Sequence, residues 1–269
     1  MGTWAKQLWR SSPYSLIQAI IRRWRRATAR PKFYKVLGGP LTGAELCLTN
    51  LIEGSAHDMI TGAFDSFFYE DKMIMQTLPD ALCWDIGSHF GYHSLAFSAL
   101  GAQVVAFEPN PLNARRLKLN LDRNPLLARR IRVRTEALTN QDNAIDFIQS
   151  DDLAGPSSGS HIDGAITPLA HSIYERFQRV RITGARADSL IANGEQPPKV
   201  LKIDVEGAEL LMLQGAQSLL RHTKPLLLLE VHHIRLMFHL RPFLESFGYH
   251  LRLANDPHEQ ASRCFVIAN

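Results

Sequence analysis

The 269-residue chain predicts an α/β fold with a mostly parallel sheet covered by helices on both faces. Three observations lead there. Short apolar runs at 81–86, 103–108, 130–136, 199–204 and 225–231 alternate with helical patterns at 91–100, 110–123, 206–221 and about 234–247. Strands that alternate with helices form right-handed β-α-β units. Several of the runs end in a carboxylate, at Asp85, Glu108, Asp204 and Glu230, and open α/β sheets bind ligands at the carboxyl ends of their strands. The composition, 45% apolar and 21% charged with 17 Gly and 14 Pro scattered along the chain, excludes collagen, coiled-coil rods and wholesale disorder.

Residues 1–44 form a separate basic arm and residues 45–269 the main domain. The arm holds nine of the 30 Lys and Arg and no acid, which leaves 21 cations against 26 acids in the rest. A local electrostatic contact by the arm, with an anionic membrane or an acidic partner, is expected rather than a nucleic-acid-binding body. Between Ser15 and Ala29 a short helix would carry Leu16, Ile17, Ile20 and Trp24 on one side and arginines on the other. It would either dock on its own domain or lie on such a surface. Its apolar run is too short for a membrane span and lacks a cleavage site, so cytoplasmic residence is the default, with a membrane-peripheral position open. Cys47, Cys83 and Cys264 stand far apart without a C-x-x-C pair, which fits a reducing compartment.

Residues 38–80 read as short strands or turns leading to a helix near Ser66–Leu78. Asn110-Pro111 supplies an N-cap and a first-turn proline for the helix after 103–108. The segment 150–172, rich in Gly, Pro and Ser, breaks the alternation and is expected to be a loop or lid. Runs 249–254 and 263–268 flank Asn255-Asp256-Pro257 and should pair as an antiparallel hairpin at the sheet edge.

The first chemical motif is Asp85-Ile86-Gly87-Ser88-His89-Phe90-Gly91, an apolar strand that ends in D-x-G-x-x-x-G and enters a helix. Gly87 and Gly91 let backbone approach a ligand, and the Asp85 carboxylate can accept hydrogen bonds from a ligand amine or hydroxyl. One unit later Glu108, followed by Pro109 and Asn110, ends the next strand, where a carboxylate can accept from both hydroxyls of a ribose. Asp85 stands where a dinucleotide fold has its first glycine, and an anion there repels a pyrophosphate. A cofactor with a positive amine, such as S-adenosyl-L-methionine, is favoured.

The second motif is Lys202-Ile203-Asp204-Val205-Glu206-Gly207-Ala208-Glu209. Lys202 and Asp204 face the side opposite Leu201 and Ile203, with Asp204 at the carboxyl edge. Glu206 and Glu209 fall in the first turn of the next helix, and for Glu209 a helix-dipole role suffices. The neighbouring strand places Glu230 and His232 on one face of the same edge. Asp204, Glu230 and His232 could form an acid/base cluster or a divalent-metal site of mixed oxygen and nitrogen ligands, and no metal is assigned from sequence.

The strings DIGSHFGYHSLAFS, VVAFEPNPLNARRLKLNL, RADSL, VLKIDVEGAELLMLQGA and LLLLEVHH resemble, in order, the FkbM family of S-adenosylmethionine-dependent methyltransferases. The resemblance spans roughly residues 81–254 and rests most on KIDVEGAE. It implies a Rossmann-like class I methyltransferase fold, a seven-stranded mostly parallel sheet with an antiparallel edge strand, and O-methylation of a hydroxyl on a glycan, lipid-linked saccharide or secondary metabolite. By motif match Asp85, Gly87, Ser88, His89 and Gly91 would hold the methionine part of the cofactor. Glu108, with Pro109 and Asn110, would hold the ribose, the Glu136-Ala137 turn the adenine, and Asp204 would lie at the cofactor's edge. Asp204, His232, Glu230 and Lys202 would carry catalysis. The chain departs from the family's usual A-N-x-G at Ser88-His89-Phe90-Gly91, and His93 replaces a frequent aromatic. A nucleic-acid methyltransferase lacks support because no N-P-P-Y type string occurs. A non-catalytic scaffold on the same fold is the remaining alternative.

Overall fold

The computed structural model describes residues 31–48, 53–150, 159–166, 177–254 and 264–269. The predicted helix within residues 15–29 lies outside them. The central sheet has seven strands in the order β12-β13-β11-β10-β3-β4-β5. These are β3 (Leu82–Ile86), β4 (Gln103–Phe107), β5 (Ile131–Arg134), β10 (Val200–Ile203), β11 (Leu226–Val231), β12 (Leu251–Leu253) and β13 (Cys264–Ala268). Strands β10, β11, β3, β4 and β5 pair in parallel, while β13 pairs antiparallel with both β11 and β12. The hairpin expected at the edge is therefore present, with the antiparallel strand one position inside and β12 outermost.

Each parallel strand sends alternate residues to opposite faces. Trp84, Ile86, Leu201, Ile203, Leu227 and Leu229 fill one core with Met212, Leu213, Leu219 and Leu220 from helices α8 (Glu209–Gln214) and α9 (Gln217–His222), and with Leu236, Leu240 and Leu244 from α10 (Ile234–Glu245). Cys83, Val104, Val200 and Leu228 fill the other core. They pack against Phe67 and Phe68 of α2 (Ser66–Glu70), Ile74 of α3 (Lys72–Thr77) and Phe97 of α4 (Tyr92–Ala99). The same alternation puts Asp85, Lys202 and Glu230 on this second face, with Lys202 directly beside Asp85 in the register. Burial on both faces explains the near-continuous apolar reading of these strands.

The expected helix over 66–78 is two helices, because Asp71 stops α2 and caps α3, accepting from the amides of Met73 at 3.0 Å and Ile74 at 3.2 Å. The expected helix over 206–221 is also shorter and broken. It begins at Glu209, since Glu206 sits in a left-handed turn at φ 51°, and it divides at Gly215. A Cβ at Gly215 would lie 2.0 Å from the Thr139 carbonyl oxygen, so the helix surface there is closed by the neighbouring chain.

Between α5 (Pro111–Arg123) and β10 the structure holds two short helices, α6 (Pro125–Ala128) and α7 (Ala187–Ala192), and a small second sheet that the sequence reading did not separate from loop. Its strands are β6 (Ala137–Leu138), β7 (Ala144–Ser150), β8 (His161–Ile162) and β9 (Phe177–Ala185), in the order β6-β9-β7-β8. Residues 151–158 and 167–172 of the expected loop or lid lie outside the described residues.

The arm boundary drawn at residue 44 runs through a hairpin. Strand β1 (Phe33–Lys35) pairs antiparallel with β2 (Glu45–Cys47). Val36, Leu41 and Leu46 are buried with Met59 of α1 (Glu53–Thr61) and Leu95 of α4. Asn120 of α5 accepts from the Cys47 amide at 2.7 Å, and Asn124 brackets Glu45 through both its amide (3.0 Å) and its carbonyl (2.8 Å). Residues 33–44 are thus docked on the main domain.

Gly87 locks the two central strands at their carboxyl ends. Its φ is 81°, and a Cβ there would lie 1.8 Å from the Asp204 carbonyl oxygen. Gly43 has φ 90° but no atom within 4 Å of such a Cβ. Gly43→Ala should cost only the backbone strain of ~1–2 kcal/mol. Gly87→Ala should cost more because backbone must also move. Chemical denaturation of the two variants checks this, and equal losses would contradict the close approach.

Candidate active site at the carboxyl end of the sheet

The loop from β3 into α4 is pinned on β4: the amides of Gly87 and Ser88 both donate to the Phe107 carbonyl at 3.0 Å. Gly91, at φ 90°, leaves room for Leu117 of α5, which a Cβ would meet at 2.2 Å. Glu108 then clamps the loop to α5. Its Oε2 accepts from the His89 amide at 2.7 Å, and its Oε1 accepts from the amide of Asn110 at 2.8 Å and the Asn113 side chain at 3.4 Å. Burial pushes Glu108 up to about 8, against those amides, which favour its anion. Pro109 is half-buried next to it. Asn110 caps α5 by accepting from the Leu112 amide at 2.9 Å and donates to Ser160 at 2.9 Å. From Ser160 the chain runs to Ile166, whose amide donates to the Gly207 carbonyl at 3.2 Å. Residues 159–166 thus bridge the ends of β4 and β10.

Asp85 is 0% exposed. Its Oδ2 accepts from Ser94 of α4 at 2.5 Å, and its Oδ1 lies 3.9 Å from Lys202 Nζ without a hydrogen bond. The His89 ring nitrogen Nε2 is likewise buried without a partner, and burial lowers that imidazole to about 4, so it is neutral at pH 7. These two unsatisfied atoms and the Glu108 carboxylate, with three of its four lone-pair directions taken, are a donor and acceptor set suited to a polar, partly cationic ligand such as S-adenosylmethionine. Glu136 stands apart, held by Arg134 at 2.5 Å, with Ala137 buried at the start of β6.

Lys202 joins this half to the next. Its Nζ lies 2.8 Å from Asp204 Oδ2 and 3.9 Å from Asp85 Oδ1. Burial would lower the ammonium, but Asp204 and Asp85 reverse this and raise it. Burial would raise Asp204, and Lys202 followed by His232 brings it well below the usual carboxylate range.

His232 is 6% exposed. Its Nδ1 lies 2.8 Å from Glu209 Oε1, and its Nε2 faces Asp204 Oδ1 at 3.5 Å, Glu230 Oε1 at 3.5 Å and Glu206 Oε2 at 3.6 Å. Burial works against a charge there, but the Glu209 bond and the surrounding carboxylates push the imidazole up to about 10. Glu206 is pushed up to about 8, chiefly by burial, against the pull of His232. The sequence brought Asp204, Glu230 and His232 to one edge correctly, and their donor atoms lie within 4.8 Å of one another. Glu209, given only a helix-dipole role, is instead the 0%-exposed partner of His232. No sequence signal distinguishes the two roles, because an acid in a first helical turn looks the same in both.

A second cluster joins Tyr69, His93 and Asp65. Tyr69 Oη lies 2.6 Å from His93 Nδ1, and His93 Nε2 lies 3.0 Å from Asp65. The departure from the usual aromatic at His93 was legible in the sequence, but its two partners were not.

Residues 85–251 match the methyltransferase FkbM domain. The chain belongs to the FkbM methyltransferase family. It is 32% identical over 154 residues to the hexuronic acid methyltransferase AglP of Haloferax volcanii, a stretch covering 57% of this chain and 56% of that protein. It thus spans about half the length of the curated relative it matches. Among solved structures it is similar to methyltransferase FkbM from Methylobacillus flagellatus KT (22% identity, TM-score 0.49, covering 70% of this chain and 43% of that one). It is also similar to SMU.1697c from Streptococcus mutans, a methyltransferase in complex with SAH (9% identity, TM-score 0.45, covering 72% and 91%). Among the described residues of this FkbM chain no helix is long and apolar enough to cross a membrane.

Lys202→Met should leave Asp85 and Asp204 facing each other without a cation. Removing one partner of a buried pair costs ~3–5 kcal/mol, and the partial exposure of Asp204 places this loss at the lower end. Urea denaturation at pH 7 checks it, and a midpoint equal to wild type would contradict the bridging role.

Proposed function

We propose that the protein is an S-adenosylmethionine-dependent methyltransferase that methylates an oxygen of a glycan, a lipid-linked saccharide or a secondary metabolite. The observation that carries this reading is the FkbM domain match over β3 to β12, in which the Glu108 clamp after β4 and Asp204 after β10 stand on either side of the end of β3. The likeness to a hexuronic acid methyltransferase favours the saccharide among these acceptors.

When bound, the cofactor supplies an electrophilic methyl group for an in-line displacement. The chain's own part is alignment and proton handling. Glu108 and the Gly87–Gly91 loop hold the ribose and methionine parts, with Ser88, His89, Pro109 and Asn110 around them and the Glu136-Ala137 turn toward the adenine. Asp204 receives the acceptor hydroxyl. Its Oδ2 is taken by Lys202, which leaves Oδ1 at the open edge to accept the proton as the methyl group transfers. His232 lies deeper, with Nδ1 committed to Glu209, so an acceptor meets Asp204 first. Glu230 and Lys202 shape the field around that carboxylate. A scaffold without catalysis would have no need to keep so many buried charges, which cost desolvation energy. The cationic residues before residue 31 fit a salt-sensitive contact with an anionic surface.

Calorimetry should find S-adenosylhomocysteine bound and NAD not bound, and tighter NAD binding would overturn the reading. Glu108→Ala should raise the cofactor dissociation constant about tenfold or more, since a hydrogen bond to the cofactor of ~1.5 kcal/mol is lost and the loop it clamps is released. Asp204→Asn should keep that affinity within a few fold and lose about 100- to 10,000-fold in turnover on the acceptor found by labelled-methyl transfer to fractionated glycan, lipid and small-molecule pools. Normal turnover by Asp204→Asn would remove it as the base. Deleting residues 1–30 should abolish low-salt flotation with anionic liposomes and leave cofactor binding intact.

A further inference from the structure

We propose that Asp204, Glu230 and His232 form a divalent-cation site, with Glu209 as the outer partner that orients the imidazole. The argument starts from spacing. His232 Nε2 makes no hydrogen bond, yet three carboxylate oxygens from three different acids surround it at 3.5, 3.5 and 3.6 Å. That is too long for N–H···O bonds, which sit at ~2.7–3.2 Å. An ion ~2.0–2.2 Å from each donor sets neighbouring donors ~3.0–3.6 Å apart for angles between octahedral and tetrahedral. The distances from Nε2 to Asp204 and Glu230 fall in that interval, and the three donor atoms gather within 4.8 Å of one another.

A further feature points the same way. The other ring nitrogen, Nδ1, is held by a fully buried carboxylate, Glu209 Oε1, at 2.8 Å. A metal-bound histidine typically gives its second N–H to such a group. Glu209 Oε1 is itself fixed by the Gly207 amide at 3.0 Å, while its Oε2 is buried with no partner.

Two carboxylate oxygens and one imidazole suit a first-row divalent ion such as Mn²⁺ better than Mg²⁺ or Ca²⁺, which take oxygen-only sets. Binding at Nε2 displaces its proton to solvent. Asp204 is partly exposed, so the ion would have its remaining positions toward the open edge. There it would take the acceptor's oxygens, favouring an acceptor that offers two, such as a vicinal diol or a hydroxyl beside a carboxylate. This last step rests on the methyltransferase reading, whereas the site itself does not.

The test uses full-length protein freed of metal with a chelator and titrated with Mn²⁺, the loss of the free-ion electron-spin-resonance signal reporting binding. Saturation at one equivalent is expected, with spin-echo modulation from one imidazole nitrogen. Glu230→Gln, which keeps shape, and His232→Ala should each weaken binding at least about tenfold, and Glu209→Gln about 10- to 100-fold. Where His232→Ala fails to fold, the two Gln variants decide. No saturable binding, or binding unchanged in both Gln variants, overturns the site. S-adenosylhomocysteine calorimetry on the same metal-free sample reports the methyltransferase reading separately, so failure of one is distinguishable from failure of the other.

Discussion

The buried Lys202 ammonium, between Asp204 at 2.8 Å and Asp85 at 3.9 Å, is the interaction on which the rest of the site depends. Strands β3 and β10 are hydrogen-bonded neighbours, and their register sets Lys202 beside Asp85. Without the cation, two carboxylates would face one another in a region that water hardly reaches. With it, the switch from apolar interior to charged edge happens within one residue on each strand. Each carboxylate then looks a different way. Asp85 turns back to Ser94 on α4, and Asp204 turns out to the edge where His232 and Glu206 meet it. One lysine thereby divides the edge into a half suited to holding a cofactor and a half suited to receiving an acceptor.

The apolar layers make this arrangement rigid. Neighbouring strand residues Ile86 and Ile203 point into the opposite core, each almost fully buried. Slipping either strand by one residue would drive a charge into that core, so hydrophobic burial fixes the register that the electrostatics need. The cost of gathering acids around His232 is met by the same packing, since catalytic and binding groups on strands are held by the elements beneath them. The small sheet β6-β9-β7-β8 adds a wall. Its extension through Ser160 and Ile166 ties Asn110 on one side to Gly207 on the other.

The central sheet was legible because its signals are local: two apolar faces give continuous apolar strands, and Asn110-Pro111 starts a helix wherever it stands. Asp85, Glu108, Asp204, Glu230 and His232 were legible because strand-end carboxylates in an α/β alternation have one place to go. The small sheet was not separated from loop, since Phe177–Ala185 mixes polar and apolar residues and has a half-exposed pattern. Glu206 was placed in a helix that begins only at Glu209, because a left-handed residue ahead of Gly207 carries no strong sequence mark. The boundary at residue 44 followed charge, while the structure follows burial of Val36 and Leu41.

By itself the sequence determined the fold class, the strand ends that carry chemistry and the family motifs, because periodicity and strand-end residue types act over a few neighbours. Only the tertiary structure decided which of those groups touch. Glu209 is joined to His232 by a hydrogen bond across 23 positions, Asn110 to Ser160 across 50, and His93 to both Tyr69 and Asp65 across 24 and 28. Such pairings depend on how α4, α8 and the inserted sheet settle on the strands, and no local rule of spacing encodes a distance between segments that meet only after folding.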